Sequence, residues 1–130
     1  MTDTITTTTP QLDWLLSTMV NSRLTREGAE LPTSYKQAPH ELGVRSVFAD
    51  PIVCADGATI SVQTGRTNYC SPRNDNGPWL EVEVGFPSVD PGPDMCMYQD
   101  GEGNPTHSVY GYVPVKLVRE FIKARGGERQ

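Results

Sequence analysis

Near the start of the chain, apolar residues recur at helical spacing: Leu12, Leu15, Leu16, Met19 and Val20. One such stripe predicts an amphipathic helix. Thr9 stands at its cap, and Pro10 takes the first-turn position that proline tolerates. Gly28 lies beyond the last turn as a stop. Trp14 falls off the centre of the stripe, which leaves it flanking the core, packing on a second subunit, or facing a ligand. Further along, the period shortens to two. Residues 52–55, Asp56-Gly57 and residues 58–63 read as a hairpin, because Asp-Gly accepts the positive φ angles of a tight reversal. Ile60 and Val62 share one face of its second strand, and Ser61 and Gln63 the other. Residues 79–86 alternate most clearly, with Leu80, Val82, Val84 and Phe86 on one side and Glu81 and Glu83 on the other. Pro87 ends that run, having no amide to donate. Residues 44–48 read as a short strand. Residues 95–99 and 108–112 read as another antiparallel pair, joined by a turn-rich connection at residues 100–105. Pro114 opens a final helix whose apolar face is Val115, Val118, Phe121 and Ile122, with Gly126-Gly127 as its stop.

The order is helix, loop over residues 30–43, four to six antiparallel strands, helix. That predicts an α+β fold: an antiparallel sheet with an N-terminal and a C-terminal helix. One domain over residues 1–130 is expected, with residues 1–8 as a frayed tail. Hydrophobic residues make up 36% of the chain, against 12 glycines and 11 prolines. This balance implies a loop-rich fold, or one that completes its core by oligomerising.

Net charge is −5, which argues against duplex nucleic acid as a partner. The charge is uneven: residues 74–113 hold seven acids and no Lys or Arg, whereas residues 114–130 hold five bases and two acids. A locally cationic end on an acidic protein suits a small anion or an acidic partner surface. The three cysteines (Cys54, Cys70, Cys96) form no Cys-x-x-Cys and share no metal-ligand spacing with His40 and His107. No metal or cofactor is expected, and free thiols fit a reducing cytoplasm. The first ten residues lack the cationic start and apolar run of a signal peptide, and no apolar run reaches membrane length.

Candidate chemistry concentrates in residues 61–88, SVQTGRTNYCSPRNDNGPWLEVEVGFPS. Arg66, Tyr69 and Arg73 stand there among turn formers. A guanidinium can hold a phosphate with a forked pair of hydrogen bonds, and an aromatic face can stack a base. Salt bridges from Arg66 and Arg73 to Glu81 and Glu83 would account for the arginines equally well. On the final helix Lys116, Arg119 and Lys123 share one stripe. It reads as a phosphate clamp, an acidic-partner surface, or an ordinary solvated face. Tyr110 and Tyr112 have the same parity, so both are expected on one strand face, suited to a pocket wall or a subunit contact. Phe86 is explained by core packing or by stacking. Catalysis finds little footing. Glu81 and Glu83 are adjacent same-face acids rather than a pair spanning a substrate, and a Cys70–His107 pair rests on no spacing.

ISVQTGRTNYCSPRNDNGPWLEVEVGFPS and the later VYGYVPVKLVREFIKARGG resemble the phage Thoeris anti-defence proteins of the first type, over roughly residues 60–127. Such proteins act as sponges: they bind a cyclic ADP-ribose isomer made by a bacterial TIR-domain enzyme and do not cleave it. The resemblance implies a non-enzymatic homo-oligomer in the host cytoplasm, with Phe86 as a stacking ring and Arg119 and Lys123 as phosphate partners. Some members also hold cyclic oligonucleotides. Lys116, Arg66, Tyr69 and Arg73 join the ligand-binding set from the residues themselves, with Trp14 and Arg23 as lid candidates. The competing expectation is a protein-binding phage inhibitor of a host defence complex, whose acidic middle would mimic nucleic acid. A hydrolase of cyclic nucleotides has the least behind it.

Overall fold

The computed structural model describes residues 8–35 and 43–130. Residues 1–7 of the expected tail and residues 36–42 of the expected loop, His40 among them, lie outside the described residues. In chain order the elements are α1 (Pro10–Ser17), β1 (Met19–Val20), α2 (Ser22–Arg26), β2 (Val44–Arg45), β3 (Ile52–Val53), β4 (Thr59–Gln63), β5 (Glu81–Gly85), α3 (Pro93–Cys96), a 3-10 turn (Pro105–His107), β6 (Val109–Pro114) and α4 (Val115–Ala124). Strands β3 to β6 make one antiparallel sheet in sequence order, and β1 and β2 pair separately in parallel. The architecture is the α+β arrangement expected, with a helix at each end.

The core follows from the two periods. Ile60 and Val62 of β4, Val82 and Val84 of β5, and Val113 of β6 are fully buried in one cluster with Leu12 and Leu15 of α1 and Val118 and Ile122 of α4. Each such side chain contributes roughly 1.5–3 kcal/mol by leaving water. The alternation fails at both ends of β5, since Leu80 is 74% exposed and Phe86 60% exposed.

Four local expectations are corrected. The single helix expected up to Gly28 is broken. Thr18 turns extended, and its hydroxyl donates to the Trp14 carbonyl at 2.5 Å, competing with the helical ladder. Met19 and Val20 then pair with Val44 and Arg45, which leaves Met19 exposed, and Asn21 caps α2 by accepting from the Leu24 amide. The strand expected over residues 44–48 is only the two-residue β2. Residues 95–99 form no strand: Gly92-Pro93 starts a helical turn at α3, and only Gln99 bridges to Tyr110. Tyr110 and Tyr112 do not share an environment, for reasons that belong to the site.

The first pair of strands also buries a cation. Arg45 has no exposed surface; it donates to the Thr64 hydroxyl and to the Ser46 carbonyl, and lies 5.9 Å from the centre of the Trp79 ring. Burial lowers its pKa to about 10 against the opposing pull of Asp75, so it stays charged at neutral pH. Among the described residues its Nε has no hydrogen-bond partner.

Candidate functional site

The ladder between β5 and β6 shifts register between Val82 and Val84. Gly111 and Tyr112 stand at that bulge, and Tyr112 takes φ +54°, a left-handed conformation that a bulky residue rarely adopts. Strict alternation is lost there. Tyr110 turns fully inward and donates its hydroxyl to the Pro105 carbonyl at 2.6 Å, whereas Tyr112 is 41% exposed.

The loop after β4 docks onto the same bulge. The Tyr112 amide donates to the Tyr69 carbonyl at 2.9 Å, and the Tyr69 amide donates to Glu83 Oε1 at 2.9 Å. Gly111 makes room, because a Cβ there would lie 3.2 Å from the Tyr69 Cβ. The two exposed tyrosine rings are 5.9 Å apart with planes inclined at 34°. The Arg73 guanidinium carbon sits 5.2 Å from the centre of the Tyr69 ring. The result is an outward platform of two aromatic rings and a guanidinium on a backbone fixed from three sides. Such a platform can stack a planar ring and hold an adjacent anion.

The salt bridges from Arg66 and Arg73 to Glu81 and Glu83 are not formed. Arg66 is drawn to Asp75, Nε to Oδ2 at 3.6 Å, and its amide also donates to Asp75 at 2.9 Å. Glu83 serves the Tyr69 amide instead, which is how the platform is positioned.

A second group lies on α4. Lys116, Arg119, Glu120 and Lys123 line an open hollow of about 420 Å³, which Phe86 does not line. Lys116 and Lys123 are exposed and make no ion pair among the described residues. Arg119 is engaged: its Nη1 donates to Asp13 Oδ1 at 2.5 Å and to the Thr9 hydroxyl at 2.6 Å. Next to this pair Glu128 accepts from the Gln11 and Leu12 amides at 2.6 and 3.0 Å, satisfying free donors at the start of α1.

The remaining candidates scatter. Phe86, at φ +48°, holds the far end of β5, where its amide donates to the Ser108 carbonyl. Trp14 is a core residue with its ring edge-on to Tyr35, the core-packing alternative among those its position offered. Arg23 makes an exposed pair with Glu27 on α2. The Cys70 thiol is buried against the Gly65 and Pro72 carbonyls, whereas His107 is exposed on its 3-10 turn; the two form no pair. Burial also raises the Cys70 pKa, and that of Cys54 to about 11, which keeps both thiols protonated. Among the described residues no group of three or more His, Cys, Asp or Glu is placed to hold a metal. Nor is any helix among them long and apolar enough to cross a membrane.

Two contributors escaped the sequence: Glu83 as the acid that positions the platform, and Asp13 as the partner of Arg119. Tyr112 stands out in the sequence as a pocket-wall candidate, but strand parity puts it on one face with Tyr110, from which the register shift separates it. Comparison with known protein families, with curated proteins and with solved structures finds no match to this chain.

Proposed function

We propose that the protein binds and sequesters an anionic nucleotide signal of the cyclic ADP-ribose type without cleaving it, the anti-defence sponge activity that the resemblance implies. The observation that carries this is the Arg73–Tyr69–Tyr112 platform, a cation over one exposed ring packed on a second. The guest's base stacks on the tyrosines, and Arg73 and Lys116 take its phosphates. Arg119 and Lys123 extend the cationic rail along α4, and the exposed Phe86 closes the site from a second copy of the chain. Each stacked base contributes about 1–3 kcal/mol, so nanomolar retention requires a closed, dry pocket as well. A homo-oligomer supplies one.

Melting curves with a panel of cyclic nucleotides and ADP-ribose isomers test this. Tight binding raises the melting temperature by mass action, and heat denaturation then releases the guest chemically unchanged. A flat response across the panel overturns the proposal, and a breakdown product in the chromatogram replaces it with an enzyme.

A protein-binding inhibitor is the second reading. Leu80 and Met97, 74% and 81% exposed, favour it as apolar contacts. The acid-mimic version is weakened by Glu83, whose carboxylate is turned onto the Tyr69 amide. Capture of a defined host defence complex, abolished by Leu80→Asp and indifferent to Arg73→Ala, would select this alternative.

A further inference from the structure

We infer that Asp13 is an internal competitor for the anion that α4 binds, so that guest binding and docking of α1 oppose each other. The inference rests on the anion-binding role proposed above for this helix. Of the three cations on the α4 stripe, only Arg119 is paired among the described residues. Its partner is a carboxylate from a different element, 106 positions away in the chain, at 2.5 Å. Arg119 nonetheless lines the open hollow with Lys116 and Lys123, and about a third of its side chain remains exposed. The guanidinium therefore stands at the boundary between α1 and the hollow, with its Nη1 committed to α1.

A carboxylate and a phosphate oxygen seek the same forked donors. A phosphate entering between Lys116 and Lys123 either displaces Asp13 from Arg119 or binds beside a fixed negative charge. Both routes weaken the guest. By linkage, a guest that takes Arg119 must in turn loosen α1. Other ties of α1 stay in place: the Glu128 carboxylate on its first amides, the Gln11 side chain on the Asp50 and Pro51 carbonyls, and its buried Leu12, Trp14 and Leu15, so the helix loosens without leaving the core. Among the described residues, the other charges bordering this place are Glu120 on α4 and Glu128 from the C-terminal tail, which adds to the negative field at Arg119. More highly charged guests feel Asp13 more strongly, so its removal favours pyrophosphate over orthophosphate.

The test uses the full chain with inorganic pyrophosphate and orthophosphate as probes. Calorimetric titration compares the wild type with Asp13→Asn and Asp13→Ser, each checked for an intact cooperative melt. Both variants should bind pyrophosphate about fivefold or more tighter than wild type, with a smaller gain for orthophosphate. In the wild type, amide exchange across Leu12–Leu15 should speed up at saturating pyrophosphate. Equal or weaker binding by both variants, or unchanged exchange in α1, overturns the competition and leaves the α4 anion site standing. Absence of saturable binding in wild type and variants alike removes the site itself, and the inference with it.

Discussion

Tyr112 holds its ring outward on a backbone turned to φ +54°. A non-glycine residue in that region costs about 1–3 kcal/mol, which the surrounding structure must over-determine. Here the over-determination is visible: the register shift in β5–β6, the hydrogen bond to the Tyr69 carbonyl, and the space left by Gly111. Phe86 is the other non-glycine residue at positive φ among the described residues, and it too is an exposed aromatic. Strain spent on exposed rings brings no core burial in return, which argues for their use in contact with something else. Replacing Tyr112 by glycine separates the two effects. The substitution removes a ring but relieves the left-handed strain, so stability should stay within about 1 kcal/mol of wild type in urea unfolding. Binding of the cyclic nucleotide should fall at least tenfold by calorimetry. A variant that unfolds readily yet binds normally when folded would make Tyr112 a structural residue only.

At the scale of elements, α1 is fastened from the far end of the chain. Glu128 closes its first turn, the Glu128 amide donates to the Thr8 carbonyl at 2.9 Å, and Arg119 holds Asp13. Losing such a cap costs about 1–2 kcal/mol, which is the destabilisation expected of Glu128→Ala. The pH dependence has a definite sign. Burial pushes the Glu128 carboxyl above its ordinary value of 4.5, outweighing the two amides that pull it down. Over the window from 4.5 upward to the raised value, the folded chain holds a proton that the unfolded chain has lost. The contribution of this group to stability therefore declines as pH rises through that window. Urea midpoints measured between pH 4 and 7 should show this slope in the wild type and a flatter one in Glu128→Gln; parallel curves would contradict it. The same fastening shows what could and could not be read from the sequence. Strands β4 and β5 and helix α4 were legible because strict alternation or a 3.6-residue period coincided with local signals such as Asp56-Gly57. The break after Ser17 was masked by an apolar stripe running through it, although Ser17, Thr18 and Asn21 are polar competitors and a cap. At residues 95–99, Gly92-Pro93 favoured a helical turn that an apolar run alone does not reveal. Asp13 with Arg119, and Glu83 with Tyr69, are tertiary pairs, and no local periodicity encodes them. Arg119 was legible as a surface cation but not as one already taken.

Across the whole molecule, the candidate anion-binding cations fall into two zones, Arg73 at the tyrosine platform and Lys116, Arg119 and Lys123 on α4. Strand β6 runs directly into α4, so Tyr112 and Lys116 are four residues apart. The chain can separate them by no more than about 14 Å. The Val115 amide bonds the Leu80 carbonyl at 3.1 Å, and the Leu80 amide bonds the Ser71 carbonyl at 2.8 Å, which ties the loop carrying Arg73 to the first turn of α4. Lys123 lies seven residues further along the helix, roughly 10 Å beyond Lys116 at 1.5 Å per residue. In the proposed binding mode, a guest stacked on Tyr112 meets Lys116 within the same chain before it meets Lys123. Single substitutions should be graded accordingly. Arg73→Ala and Lys116→Ala should each weaken cyclic nucleotide binding about tenfold, in line with loss of one charge-assisted hydrogen bond. Lys123→Ala should matter little in protein diluted to monomers and become important only where a second copy brings its own ring to the far end of α4. Affinities measured for the three variants above and below the association concentration decide the point. Equal losses at Lys116 and Lys123 in the monomer would place the guest lengthwise on α4 and detach it from the tyrosine platform.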